Sequence, residues 1–169
     1  MNKNMQISER GICRLKQFEG CVKINNRHVI YDDATGQPVP NGTPLSPGAT
    51  IGYGHLITPG QDFSRGLTEE QATKLLQSDL TQAQDVVRHN VHTKLSQYQY
   101  DALVILAFNI GAGAFRKSTV LKYLNIPGFV SKKYPTLMSA WLSWCNSGGR
   151  TVPGLLRRRR QEWEMFINQ

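Results

Sequence analysis

Cysteine is scarce in this 169-residue chain, which holds only Cys13, Cys21 and Cys145. An odd count without regular spacing argues against a disulfide framework. No Cys-x-x-Cys pair is present to seed a cysteine zinc site. Reduced thiols fit synthesis in the cytosol. Long apolar runs are missing too. Nothing approaches the roughly 18 consecutive apolar residues of a membrane span, and Met1–Gln6 carries no apolar signal core. Acidic residues are few, 12 against 20 Lys and Arg, giving a net charge of +8. That balance draws the protein to polyanions: nucleic acid, anionic lipid or an anionic cell-envelope polymer. Repeats and low-complexity segments are absent, which excludes solenoid and disordered architectures.

What is present suits a single globular domain, residues 1–169. Hydrophobic residues at 40% and charged residues at 19% are ordinary for such a fold. The length can bury a core without metal or disulfide staples. Ile7, Gly11, Ile12, Leu15 and Phe18 repeat at helical spacing, with Ser8 as N-cap and Gly20 as stop. Residues 21–58 change character. Val22, Ile24, Val29, Ile30 and Tyr31 favour extended backbone, Asn25-Asn26 a turn, and Asp33-Ala34-Thr35-Gly36 another. Gln37–Ala49 holds four prolines and reads as a surface loop, because proline cannot donate to a sheet ladder.

From Leu67 the pattern is helical. Thr68-Glu69-Glu70-Gln71 and Ser96-Gln97-Tyr98-Gln99 are capping boxes. The second opens an apolar run, Tyr100–Ile110, expected to be the buried central helix. Phe115–Leu124 and Pro135–Trp144 are shorter helix candidates. Pro153 opens a last helix with an apolar face of Leu155, Leu156, Trp163, Phe166 and Ile167. The expected class is α+β: a small β-containing lobe over about 1–65, a larger helical lobe over about 66–169, and a substrate cleft between them.

Two acids fall in contrasting settings. Glu19 ends a helix, where the negative end of the dipole disfavours ionisation and suits a general acid. Asp33 lies in a polar turn that keeps it ionised, and Thr50 offers a hydroxyl to hold a water beside it. A proton donor and a water-holding carboxylate are what cleavage of a glycosidic bond requires. Spacing alone does not separate this from a solvated glutamate and ordinary turn chemistry. Nor does it separate Asp33 from its neighbour Asp32.

The order Phe18-Glu19-Gly20, Tyr31-Asp32-Asp33, Gly36, Thr50-Ile51-Gly52-Tyr53-Gly54-His55 resembles the phage-type lysozymes. These are the muramidase endolysins of glycoside hydrolase family 24, similar to the T4-type enzymes. The resemblance continues through Gln99–Leu103, Phe108-Asn109-Ile110-Gly111 and Phe115. It closes with Gly148-Gly149-Arg150 and Pro153-Gly154-Leu155 through Arg159. It implies a lysozyme-like fold and hydrolysis of the β-1,4 bond between N-acetylmuramic acid and N-acetylglucosamine in peptidoglycan. It implies Glu19 as proton donor, and Asp33 and Thr50 as the other catalytic residues. Leu56, Phe108, Asn109 and Ser118 then line the sugar site, and His55 supports it by hydrogen bonding. The proline-rich segment 37–49 is longer than in short members.

The resemblance requires no cofactor or metal. It also implies a monomer that accumulates in the host cytoplasm and reaches the wall through a holin-type lesion. Three other readings stand beside hydrolysis. A lytic transglycosylase would need the glutamate without Asp33 and Thr50. Arg157–Arg160 either brace the fold through ion pairs of one or two arginines, the others being solvated, or make the last helix an antimicrobial element on anionic envelope lipids. Nucleic-acid binding is disfavoured, since no aromatic stacking platform accompanies the basic run. His89 and His92 are three apart without a nearby third ligand, and read as surface histidines.

Overall fold

The computed structural model describes residues 2–168, and the chain divides into two compact units. One is Cys13–Asp79. The other combines the chain up to Ile12 with everything from Leu80 onward. The first boundary falls inside helix α1, Glu9–Glu19. The second differs from the sequence expectation, because helix α2 (Glu69–Asp79) belongs with the strands and not with the helices that follow.

In the unit Cys13–Asp79, Leu15 is fully buried and Gly20 ends α1. Gly20 adopts φ 66°, and its amide returns to the Lys16 carbonyl at 3.0 Å, a glycine stop of the left-handed kind. Strands β1 (Lys23–Ile24) and β2 (Arg27–His28) form a hairpin about Asn25 and Asn26. Both turn residues have positive φ, 50° and 62°, as a two-residue turn matched to strand twist requires. Strands β3 (Tyr31–Asp32), β4 (Ala49–Ile51) and β5 (His55–Leu56) make an antiparallel sheet in that order. Tyr31 pairs with Thr50, and Thr50 with Leu56. β4 is buried along its whole length.

The expected loop 37–49 is not free at its start. The Val39 amide donates to the Ile30 carbonyl at 2.8 Å, and the Asp32 amide to the Gln37 carbonyl at 3.0 Å. Pro38 bridges Tyr31 between these bonds. It occupies a position where the ladder asks for no N–H, so its missing donor costs nothing there.

Glu69, the first residue of α2, gathers this unit. Its carboxylate accepts from Lys16 Nζ (2.9 Å), Lys23 Nζ (2.8 Å) and the Tyr53 hydroxyl (2.6 Å), and lies 2.9 Å from His28 Nε2. Partial burial opposes its charge. The bonds from Lys16, Lys23, Tyr53 and His28 outweigh that, and hold the carboxyl well below the usual carboxylate range. The Tyr53 phenol is driven up, first by burial and then by its bond to Glu69. The Thr68–Gln71 capping box forms as expected.

The helical unit contains α3 (Thr81–Asn90), α4 (Gln97–Ile110), α5 (Ala112–Lys117), α6 (Thr119–Asn125), α7 (Leu137–Leu142) and α8 (Pro153–Ile167). Helix α4 is its axis. Tyr100–Ala107 are all buried, which explains the unbroken apolar run, and α3 and α8 pack against it. Asp101 is buried within α4 and accepts from the Ser8 amide (2.9 Å), the Ser8 hydroxyl and Gln97 Nε2 (2.7 Å). Gly11 sits against this cluster. A Cβ there would lie 2.7 Å from Ile7 Cγ1 and 2.9 Å from Asp101 Cγ.

Two expectations need correction. Phe115–Leu124 is not one helix: the chain breaks at Ser118, whose hydroxyl caps α6 by accepting from the Leu121 amide at 3.1 Å. The helical pattern that begins after Leu67 likewise divides, at Leu80, into α2 and α3. A short hairpin, β6 (Asn146–Ser147) with β7 (Arg150–Thr151), turns on Gly148-Gly149, both at positive φ.

The arginine run of α8 divides: Arg158 and Arg159 are buried and paired with Glu162, while Arg157 and Arg160 are exposed. Trp163 and Phe166 of α8 pack on Trp141 with ring centroids 5.9 and 5.2 Å apart.

Two stability outcomes follow. A carboxyl depressed by folding contributes stability above its unfolded value and loses it as pH falls. Thermal melts of wild type and Glu69→Gln should therefore differ most above pH 4.5, and the gap should close toward strong acid. A gap that widens on acidification would show the hub does not act through its charge. Gly11→Ala should cost about 1–3 kcal/mol in urea unfolding, because the added methyl would crowd Ile7 Cγ1 and the buried, hydrogen-bonded carboxylate of Asp101.

Candidate active site

Glu19 is the last residue of α1, half-buried, with its carboxylate beside the turn Gly52–Gly54. A Cβ on Gly54 would stand 3.9 Å from Glu19 Oε2, and Gly54 has φ 87°. Only glycine adopts that backbone without strain, so the Gly-Tyr-Gly sequence shapes the ground beside the acid.

Asp33 follows β3 in the turn that leads to Gly36. Asp32 and Asp33, indistinguishable by spacing, have different employment. Asp32 Oδ1 accepts from the Thr35 amide (2.9 Å) and the Thr35 hydroxyl (3.1 Å), and so is tied into the turn. The Asp33 side chain has no hydrogen bond of that kind among the described residues, and it is exposed.

Thr50 is buried in mid-β4, and its hydroxyl donates to the Gly48 carbonyl at 2.9 Å. The Asp33 amide donates to the same carbonyl at 3.3 Å. One oxygen thus holds the backbone of Asp33 and the side chain of Thr50 together. Leu56, 56% exposed, faces Thr50 across the β4–β5 pair, and Tyr31 faces it across β3–β4. Directly opposed residues share a sheet face, so Tyr31, Thr50 and Leu56 form one row. The Tyr31 phenol is raised, first by burial and then by the charges of Asp33, Cys21 and Glu19.

His55 Nδ1 lies 3.0 Å from both carboxylate oxygens of Asp79, and Nε2 lies 3.2 Å from Gln61 Oε1. Its ring meets Phe63 edge-on at 5.8 Å. This histidine ties the end of α2 to β5 and is fully employed in doing so.

In the helical unit, Phe108 is half-buried and Asn109 exposed at the end of α4. Asn109 Oδ1 accepts from Arg159 Nη2 at 2.9 Å. Ser118 is 3% exposed and committed to its cap.

No three His, Cys, Asp or Glu side chains among the described residues are grouped to hold a metal ion. His89 Nδ1 bonds the Asp85 carbonyl at 2.8 Å. A cavity of about 430 Å³, lined by Ile24, Val29, Pro38, Val39, Phe63 and Arg65 among others, includes none of Glu19, Asp33 or Thr50. None of the described helices is long and apolar enough to cross a membrane.

Sequence reasoning did not single out Glu69, Asp79 or Arg159. Glu69 reads as a capping-box filler, Asp79 carries no motif, and Arg159 is one of four identical neighbours. Only their three-dimensional partners distinguish them.

Residues 16–162 match the Phage lysozyme family. The endolysin of Salmonella phage P22 is 38% identical over 167 residues, covering 97% of this chain and 99% of that protein. The endolysin of Bacillus phage B103 is 36% identical, covering 96% of this chain and 54% of that longer protein. Among solved structures, the muramidase domain of SpmX from Asticaccaulis excentricus superposes with a TM-score of 0.73 at 30% identity, covering 98% of this chain and all of that one. A crystal structure of a P22 lysozyme variant does so with a TM-score of 0.70 at 35% identity, covering 97% and 99%. Matched by the family model over most of its length and built on a lysozyme-like α+β fold, the chain belongs to the phage lysozyme family.

Proposed function

We propose that Glu19, Asp33 and Thr50 hydrolyse the β-1,4 bond between N-acetylmuramic acid and N-acetylglucosamine, in a reaction that inverts the anomeric centre. Family membership makes the protein a glycoside hydrolase, an endolysin whose substrate is peptidoglycan.

The observation that carries the residue assignment is the shared Gly48 carbonyl. Because the Thr50 hydroxyl donates its only hydrogen there, its oxygen is left as an acceptor. The Asp33 carboxylate is an acceptor as well. A water that donates one hydrogen to each turns a lone pair outward, toward an anomeric carbon. Glu19 delivers its proton to the glycosidic oxygen as the C–O bond breaks. The water oxygen bonds to carbon, and its proton passes to Asp33. A transglycosylase has no use for this paired acceptor, so the Asp33–Thr50 arrangement supports hydrolysis.

The remaining roles follow the same reading. Leu56, Phe108 and Asn109 offer exposed or half-buried surface to the glycan. Ser118 contributes from its helix cap, and His55 braces β5. The protein acts as a monomer, accumulates in the host cytoplasm and reaches the wall through a holin-type lesion. Contact with anionic lipid would fall to Arg157 and Arg160, since the other two arginines are interior.

Glu19→Gln should lower clearing of purified cell walls by at least about a thousandfold with an unchanged circular dichroism spectrum. Full activity in that variant would overturn the assignment. Thr50→Ser should retain most activity, whereas Thr50→Val should lose about a hundredfold. Equal loss in both would mean the hydroxyl does not hold the water. Early products followed by proton NMR should be α-anomers with free reducing ends. Anhydro-muramic ends would establish the transglycosylase instead.

A further inference from the structure

The contact between Arg159 and Asn109 fixes which atoms of an exposed amide face the solvent. Arg159 is fully buried on α8, as is Glu162 one turn on. Glu162 Oε1 accepts from Arg159 Nη2 (2.7 Å) and Arg158 Nε (3.0 Å), and Oε2 accepts from Trp141 Nε1 (3.1 Å). The second hydrogen of Arg159 Nη2 goes to Asn109 Oδ1 at 2.9 Å.

A guanidinium has donors and no acceptor, so the atom of Asn109 that meets it must be the oxygen. The usual ambiguity of an asparagine amide is thereby removed. An exposed amide ordinarily turns over freely and offers either end to a ligand. This one is held by a buried ion pair, with its Nδ2 hydrogens directed away from the arginine.

We infer that Arg159 is a positioning residue that makes Asn109 a dedicated hydrogen-bond donor to the glycan, suited to an acceptor oxygen such as an acetamido carbonyl. This rests on the reading of Asn109 as a glycan contact and adds the polarity of that contact and the residue that imposes it. Every repeat of the polymer offers acetamido carbonyls as acceptors. An amide already fixed in its donor orientation loses little rotational freedom on binding. Arg159 thus serves the Asn109 contact from inside its own unit.

The test is steady-state kinetics on purified peptidoglycan, native and chemically de-N-acetylated. Asn109→Asp keeps an acceptor for Arg159 and replaces the donors. It should raise KM about tenfold, with kcat much less affected and no drop in melting temperature. Asn109→Leu should raise KM similarly. On de-N-acetylated substrate the difference between wild type and Asn109→Asp should vanish. Arg159→Lys should raise KM in the Asn109 background and have no further effect beside Asn109→Leu, a coupling that general destabilisation would not produce.

If Asn109→Asp matches wild type while Asn109→Leu is weakened, the oxygen and not the nitrogen meets the substrate, and the inference fails. If neither variant moves KM, Asn109 does not touch glycan. The inference then fails, while the loss of activity in Glu19→Gln leaves the hydrolase reading intact.

Discussion

The carboxylate of Glu69 is the point on which the strand-bearing unit depends. It is a single acid at the start of α2, yet its four partners come from three other parts of the chain. Lys16 belongs to the last turns of α1, Lys23 and His28 to the first hairpin, and Tyr53 to the glycine turn. Glu19 lies one helical turn past Lys16, and Gly54 adjoins Tyr53. Glu19, the proposed proton donor, and the turn beside it are therefore referred to one common anchor. Exposed ion pairs are worth little singly. What matters here is convergence: several tethers on one carboxylate restrict the relative motion of segments too short to be rigid by themselves.

The helical unit solves a similar problem by opposite means. Its anchor, Glu162, is excluded from water, and burial pushes its carboxyl upward against the charges of Arg159 and Arg158. Ions so placed are costly unless their bonds are complete. The carboxylate therefore takes donors from two arginines and an indole. Replacing buried ion clusters by hydrophobic residues of similar volume is often neutral or stabilising. The value of this cluster lies in orientation, because an arginine held on several sides can hold something else in turn.

Much of this was legible in the sequence. The capping boxes, the Asn-Asn turn, the stop at Gly20 and the buried run of α4 follow from local rules of spacing and backbone preference. The order of Glu19, Asp33 and Thr50 carried the family. Four kinds of feature were not legible. The helix break at Ser118 is hidden because serine both caps helices and occurs within them. The pairing of Pro38 depends on strand register, which composition does not reveal. The division of labour between Asp32 and Asp33 rests on a turn hydrogen bond to Thr35, and the two residues are chemically identical until that bond is known. The split of Arg157–Arg160 into interior and exterior pairs likewise depends on what lies opposite each side of α8. The Gly-Gly of the β6–β7 hairpin, by contrast, was a readable signal.

The carbonyl of Gly48 has a consequence beyond catalysis. A carbonyl oxygen carries two lone pairs, and here both are occupied, one by the Asp33 amide and one by the Thr50 hydroxyl. On the other side, Gln37–Val39 are fastened to β3. The intervening chain, residues 40–47, therefore leaves and re-enters the sheet at two clamped points. Its length and composition can drift without transmitting a displacement to the threonine or the aspartate. Closing a longer loop between fixed ends costs little, about 0.6 kcal/mol for each doubling. The segment can thus change in length while the backbone on either side of it stays where Gly48 and β3 hold it.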